Sequence, residues 1–451
     1  MTRKTNLLFI CNECSYETTK WLGRCPQCEA WNSFSELTKS KSLSKKTLTH
    51  KIQSLSDVPY APEKKYKTGI SEFDTVLGGG IVPGSLILLG GEPGIGKSTF
   101  LLQICDKLSQ YGPILYNNGE ESSQQIKLRS KRLKINEENI FLLDETDLGA
   151  IESSISQIKP IGIIIDSIQT VYRQDVLGLP GNISQVKEAA NLFLNISKKE
   201  NIFIFLVSHV TKEGNIAGPK ALEHTVDVVL YIEGKKHNSF RILRNYKNRF
   251  GTTDEIGVFQ MTEFGIHEVT NPSEHFIQDY NYSFSGTTLS AIFEGSRPLL
   301  IEVQALVSST HFTFPKRMVD GTDVNKIYKL IAILEKVLGI ILVQSDVYVN
   351  ITGGVKGREP GIELSIIMAI YTSFKKISLK KSMLFIGEVG LAGEIRGVVG
   401  INQRVSEALK LGIQVIIVPK KNSSELTSSI KKGHIFSAAS ILEVVEFIQS
   451  S

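Results

Sequence analysis

The run Leu86-Ile87-Leu88-Leu89 passes through Gly90 into Gly91-Glu92-Pro93-Gly94-Ile95-Gly96-Lys97-Ser98-Thr99, and Phe100, Leu101, Leu102, Ile104 and Leu108 follow at helical spacing. Strand, glycine-rich loop and helix in that order are the setting a phosphate-binding loop requires. The glycines let backbone N–H groups converge on phosphate at a helix N-terminus. Lys97 is spaced to reach β and γ oxygens and Ser98 to ligate Mg²⁺. The pattern predicts a nucleotide site over residues 91 to 99. Cys105, on the same helix among apolar neighbours, reads as core.

Three further apolar runs read as strands of a parallel sheet, since each is continuously hydrophobic and is followed by a polar or helical stretch. The run 161 to 165 ends at Asp166-Ser167, where a second acidic residue would hold Mg²⁺ through water. Ile114-Leu115-Tyr116 leads to Gly119-Glu120-Glu121-Ser122, and a carboxylate at that strand end could orient or deprotonate an attacking water. The run 202 to 207 ends at Ser208-His209, a polar pair able to sense a γ-phosphate. Past a glycine-containing loop at 214 to 220 comes Arg244-Asn245-Tyr246-Lys247-Asn248-Arg249-Phe250-Gly251. Its cations among aromatics suit phosphate or base contact, an intersubunit finger, or a solvated hairpin.

At 451 residues the chain has room for about three domains. With 41% hydrophobic, 22% charged and 8% aromatic residues it is neither a disordered tail nor a fibre. No apolar run approaches the roughly 18 residues of a membrane span, and no signal-peptide core is present, so a cytoplasmic location without membrane contact is expected. Four of the five cysteines form two knuckles, Cys11-x2-Cys14 and Cys25-x2-Cys28. Four thiolates so spaced predict one tetrahedral Zn²⁺, replacing the hydrophobic core that so short a unit lacks. Trp21, Trp31 and Phe34 flank the ligands and are expected to pack around that small core. Residues 1 to 67 carry twelve Lys and Arg against six Asp and Glu, a net +6 that leaves about −1 for the rest of a chain whose total is +5. Residues 36 to 59 read as a basic flexible linker, either a solvated tether or an arm lying near an acidic polymer.

The order of these features is similar to one family. The zinc knuckles, Thr68-Gly69-Ile70-Ser71-Glu72-Phe73-Asp74 with Leu77-Gly78-Gly79-Gly80, the phosphate-binding loop, Gly119-Glu120-Glu121-Ser122 and Lys247-Asn248-Arg249-Phe250-Gly251 together resemble the bacterial RadA (Sms) family over nearly the whole chain. The resemblance implies an α/β fold: a RecA-like parallel-sheet ATPase core with an N-terminal C4 zinc ribbon and a C-terminal Lon-peptidase-like α+β domain. The implied boundaries are 1–35 for the ribbon, 36–59 for the linker, 60–260 for the ATPase and 261–451 for the last domain. It further implies a DNA-dependent ATPase that drives branch migration in recombination and repair, using ATP, Mg²⁺ and Zn²⁺. Single-stranded and branched DNA, a RecA-type recombinase and like subunits in a hexameric ring are its implied partners. By the same likeness Glu120 is the catalytic glutamate beside Lys97, with Glu121 the runner-up, and Lys247 to Gly251 couple nucleotide to DNA or to a neighbour.

The C-terminal part has its own amphipathic stretch, with Val324, Ile327, Leu330, Ile331, Leu334 and Leu338 on one face, and apolar runs at 383 to 386 and 415 to 418. Asp346-Val347-Tyr348-Val349-Asn350, Gly353-Gly354 and the segment 387 to 394 resemble the Lon fold. That likeness puts the peptidase serine near Gly361 and the dyad lysine near Asn402, and neither residue can perform Ser/Lys chemistry. Ser365 and Ser373 remain as nominal nucleophiles. A Lon-type ATP-dependent protease and a non-motor, ATP-switched DNA scaffold are the alternative functions.

Overall fold

Among the described residues, the cysteine-rich N-terminal segment forms strands of two to four residues: β1 (Leu8–Cys11), β2 (Glu17–Thr18) and β3 (Phe34–Leu37), antiparallel in the order β2-β1-β3. The computed structural model describes residues 8–11, 16–37, 54, 64–209, 221–234, 239–311, 314–352, 357–427 and 435–450. Cys14, nearly all of the expected linker, the loop at 214 to 220 and Gly353-Gly354 lie outside the described residues. The ribbon's core is Cys11, Cys25 and Phe34, with Phe9 and Leu22 packed against them. The tryptophans depart from expectation. Trp21 is 55% exposed and Trp31 72% exposed, with the Arg24 guanidinium 5.8 Å from the Trp31 ring. A sheet this small has no surface wide enough to cover an indole, so only Phe34 enters the core.

Within the ATPase portion the chain runs α1 (Ser71–Val76), β4 (Leu86–Gly91), α2 (Lys97–Leu108), β5 (Ile114–Asn118), α3 (Ser123–Leu133), β6 (Ile140–Leu143), α4 (Leu148–Ile158), β7 (Gly162–Asp166), α5 (Ile183–Glu200), β8 (Phe203–His209) and β9 (Val228–Glu233). β10 (Phe240–Asn248), β11 (Ile256–Thr262) and β12 (Gly265–Glu268) complete a nine-stranded sheet ordered β12-β11-β10-β9-β4-β8-β7-β5-β6. Pairing is parallel from β9 through β4, β8, β7 and β5 to β6, and antiparallel between β9 and β10. This is a RecA-like arrangement. Every residue of β4 is buried, because helices cover both faces. Ile87 and Leu89 point into a cluster with Phe100, Leu101 and Ile104 of α2, whereas Leu86 and Leu88 point into one with Val186, Ala189 and Phe193 of α5. Local signals set the helix starts: Ser122 and Gln125 form a capping box on α3, and Asp147 caps α4. The carboxyl ends of β4, β5, β7 and β8 therefore share one edge, where open α/β sheets bind ligands.

The chain separates into two compact units, Met1–Glu233 with Arg241–Thr253 and Phe259–Glu268, and Gly234–Phe240 with Asp254–Val258 and Val269–Ser451. The second unit is α+β. Its seven-stranded sheet has the order β15-β16-β14-β13-β17-β20-β21, from β13 (Thr287–Glu294), β14 (Arg297–Ser309), β15 (Arg317–Asp320), β16 (Ser345–Ile351), β17 (Met383–Phe385), β20 (Val415–Pro419) and β21 (Ile435–Ala438). β18 (Glu388–Val389) and β19 (Ile395–Arg396) form a separate ribbon. The helix Glu363–Lys375 is buried from Glu363 through Ser373, and the amphipathic stretch 324 to 338 is a helix whose Ile327, Leu330, Ile331 and Leu334 face inward.

Candidate active site

Gly94 (φ 78°) and Gly96 (φ 112°) adopt left-handed backbone within the loop 91 to 96, and Gly96 is the N-cap of α2. The left-handed backbone at Gly96 demands glycine, and a Cβ there would also press on the end of the Met261 side chain. The loop leads into a helix N-terminus, a setting that fits the chemistry of a triphosphate. Arg241 on β10, 6% exposed, donates from Nε to the Ile95 carbonyl (3.2 Å) and braces the loop from below.

Lys97 is buried and donates from Nζ to the carbonyls of Gly91 (2.9 Å) and Glu92 (3.2 Å) and to His209 Nδ1 (3.1 Å). An ammonium only donates, so Nδ1 accepts and the ring's proton is assigned to Nε2. Nε2 then donates to Glu120, at 2.9 Å from Oε1 and 3.1 Å from Oε2. The Ser167 hydroxyl also donates to Glu120 Oε1. Hydrogen bonding from His209 and Ser167, with the Lys97 charge nearby, holds the Glu120 carboxyl below its usual range, so it stays ionised. Burial pulls the Lys97 amine down to about 8 against the opposing pull of Asp166 and Glu120.

Asp166, at the end of β7 and 6% exposed, accepts from Tyr116 Oη at 2.6 Å, and Ser98 of the loop lies close to its carboxyl. Burial is the main influence on its carboxyl and raises it. A buried carboxylate beside the loop serine is a donor set that fits a hard divalent cation. Glu121 turns the other way: its Oε1 meets Arg129 Nη2 of α3 at 2.6 Å and its N–H bonds Asn118. Of the Ser208-His209 pair, only His209 enters the site; Ser208 is fully buried and bonded to Gln169. Tyr116, Ser167, Arg129 and Arg241 were not singled out from the sequence. Ser167 stood next to a residue that was, but nothing in apolar periodicity marks a strand tyrosine as the partner of an aspartate one strand away.

Lys247 to Gly251 lie elsewhere. Asn248 pairs with Val228 at the start of β9, level with Ile87 at the start of β4, whereas Gly91 pairs with Ile232 near the other end. At about 3.3 Å per residue Asn248 is about 13 Å along the sheet from Gly91 of its own chain. Lys247 Nζ donates to the carbonyls of Glu223 (2.6 Å), His224 (3.3 Å) and Val226 (2.8 Å). Arg249 Nη1 meets Asp227 Oδ1 at 3.2 Å while its side chain stays 56% exposed. Asn248 Oδ1 accepts from the Phe250 N–H, the Phe250 ring lies 5.8 Å from the Lys198 ammonium, and Gly251 abuts Gly78.

The thiols of Cys11, Cys25 and Cys28 all lie within 4.8 Å of one another, with Cys11 and Cys28 Sγ 3.6 Å apart. Tetrahedral Zn–S bonds of about 2.3 Å put sulfurs about 3.8 Å apart, so the three fit a zinc ion. The N–H of Cys11 bonds the Tyr16 carbonyl, and the Cys25 carbonyl accepts from the Glu29 N–H.

In the second unit the peptidase positions are spent on structure. Asn402 donates to the Glu425 carbonyl and accepts from the Thr427 N–H. Ser365 is fully buried with its hydroxyl 2.9 Å from that of Thr288, and the Ser373 hydroxyl accepts from the Val307 N–H. A cavity of about 560 Å³ beside Gly361 contains Ser296, which donates to Glu255, and no lysine is among its described lining residues.

Three family models match the chain: a rubredoxin metal-binding domain at residues 9–36, an AAA domain at 53–215 and the ChlI subunit of Mg-chelatase at 329–422. An archaeal KaiC-like protein from Pyrococcus horikoshii aligns at 22% identity and a TM-score of 0.39, over 46% of this chain and all of its own. Among curated proteins, DNA repair protein RadA of Bacillus subtilis is 47% identical over 93% of both chains. The RadA of Listeria monocytogenes is 46% identical over the same shares, and that of Streptococcus pyogenes is 44% identical over 98% of this chain and 99% of its own. Likeness of that degree, sustained through ribbon, nucleotide loop and C-terminal unit alike, makes this chain a member of the family of DNA repair protein RadA.

Proposed function

We propose that the chain is a DNA-dependent ATPase that drives branch migration of recombination intermediates in homologous recombination and DNA repair. One observation carries the reading. Glu120 is bonded to Ser167 and, through His209, to Lys97, so residues following or ending four neighbouring strands converge beside one phosphate-binding loop. Residues 91 to 99 hold the triphosphate, Lys97 contacts its β- and γ-phosphates, and Ser98 and Asp166 hold Mg²⁺. Bound Mg²⁺ supplies neutralisation of the triphosphate charge. Glu120 orients the attacking water, a role for which Glu121, committed to Arg129, is less suited. The ribbon cysteines Cys11, Cys14, Cys25 and Cys28 hold a structural Zn²⁺.

Lys247 to Gly251 are too distant to serve their own chain's nucleotide. Arg249, the more exposed cation, acts on DNA or on the nucleotide of an adjoining subunit, and Lys247 keeps the segment in shape. The working form is a homo-oligomer, a hexameric ring, which acts on single-stranded and branched DNA with a RecA-type recombinase. The location is cytoplasmic; no described helix is long and apolar enough to cross a membrane. A Lon-type protease is disfavoured by the side-chain-free Gly361 and the committed Asn402. Strand-displacement and branch-migration assays test the reading, with ATP-dependent migration expected of the wild type and none of Lys97→Ala. Turnover indifferent to DNA, with assembly still following ATP, would favour the switched scaffold.

A further inference from the structure

We infer that Tyr116 is a positioning residue for the divalent cation, its phenol holding one oxygen of Asp166 so that the other is presented to the cation's water shell. The inference rests on the nucleotide-site reading above. Tyr116 sits in mid-β5, 1% exposed, in the cluster that packs α2 against the sheet. Phenylalanine would fill the same volume, so packing alone does not call for the hydroxyl. A buried phenol needs a hydrogen-bond partner. This one meets Asp166 Oδ2 at 2.6 Å.

Strand register makes that reach possible. Tyr116 pairs with Ile164 and Asn118 with Asp166, so the ring leans along the sheet by two residues to meet a carboxylate at the next strand's end. The phenol of Tyr116 holds the carboxylate from the sheet, and Ser98 lies near it on the loop. Ser98 belongs to the loop that receives the nucleotide, whereas Tyr116 belongs to a buried strand and keeps its bond to Asp166. Without that bond the carboxylate would be free to rotate about its Cβ–Cγ bond; the phenol removes that freedom.

Equilibrium binding of a fluorescent ATP analogue to wild-type chain and Tyr116→Phe, in EDTA and across a Mg²⁺ series, tests this without reference to turnover. Affinity in EDTA should match the wild type, because the loop and Lys97 are untouched. The Mg²⁺ concentration for half-maximal gain in affinity should rise about 10-fold or more, as when other outer partners of metal-binding carboxylates are removed. An unchanged Mg²⁺ requirement in Tyr116→Phe would overturn the inference and leave the site reading standing. Weakened binding in EDTA would overturn it too, by making the hydroxyl a support of the fold. If the wild type itself gained nothing from Mg²⁺, the reading of the loop and Asp166 would fail first.

Discussion

Glu120 and Glu121 are adjacent in sequence, yet replacing each by glutamine should have very different effects. In Glu120→Gln the amide oxygen can still accept from Ser167 and His209, so the local fold should survive. What disappears is the negative charge that would orient and deprotonate water. A positioned base contributes about 10²–10⁴-fold, and at 1.36 kcal/mol per decade that is about 2.7–5.4 kcal/mol of barrier. Glu121→Gln instead removes a 2.6 Å ion pair with Arg129 whose side chains are 34% and 19% exposed. Partly solvated pairs of this kind contribute at most about 1 kcal/mol, so hydrolysis should change by less than about 10-fold. Single-turnover hydrolysis with enzyme in excess separates the two, with nucleotide affinity measured in parallel and expected to hold in both variants. Glu121→Gln as slow as Glu120→Gln, or a Glu120→Gln hydrolysing within tenfold of wild type, would refute the assignment.

A Cys11→Ser, Cys28→Ser double variant should lose its equivalent of zinc by metal analysis; full retention would show that the ribbon's metal lies elsewhere. Burial lowers the Lys97 amine from 10.5 to about 8, so between those values the nucleotide-free fold holds fewer protons there than the unfolded chain and this group's contribution to stability rises with pH. Bound phosphates would restore the charge, so calorimetry in buffers of different ionisation enthalpy should detect proton uptake on ATP binding near pH 8 to 9, and none in Lys97→Ala. Lys247→Ala should lower stability by about 1–3 kcal/mol in denaturant melts, because three carbonyls lose a charged donor; Arg249→Ala should melt as wild type yet lose DNA-dependent remodelling. Ser365→Ala should change no proteolysis of an unfolded substrate, since none is expected from the wild type.

The parallel strands were legible because helices cover both faces and force uninterrupted apolar runs: residues 161 to 165 and 202 to 207 announced β7 and β8 directly. The phosphate-binding loop was legible because glycine at Gly94 and Gly96 is a backbone requirement that appears as a residue identity. The cysteine spacing foretold the cluster of Cys11, Cys25 and Cys28 for a similar reason, as few other arrangements use two such knuckles. What stayed hidden depends on distance in sequence. The bond from Tyr116 to Asp166 spans 50 residues, and the contact of Arg241 with Ile95 spans 146. Periodicity registers which face a residue occupies and is silent on which polar atom it meets across the sheet. The choice between Glu120 and Glu121 likewise turns on two neighbours, Ser167 and Arg129, that only folding brings near. Composition left several roles open for Lys247 because it cannot register that the amine bonds carbonyls at residues 223 to 226.

The separation of Arg249 from Gly91 along the sheet gives the ATPase portion two unlike ends. In a ring built on that polarity every nucleotide would be served by two polypeptides, one contributing the loop and the other the cation. A chain with a broken loop and a chain with a broken cation would then each poison different neighbours. Doping wild type with either should depress activity more steeply than the fraction of sound subunits. Mixing the two defective forms should restore a share of sites, those where the intact half of each happens to meet. Such behaviour belongs to a shared catalytic unit, and an enzyme whose subunits each work alone would dilute in simple proportion.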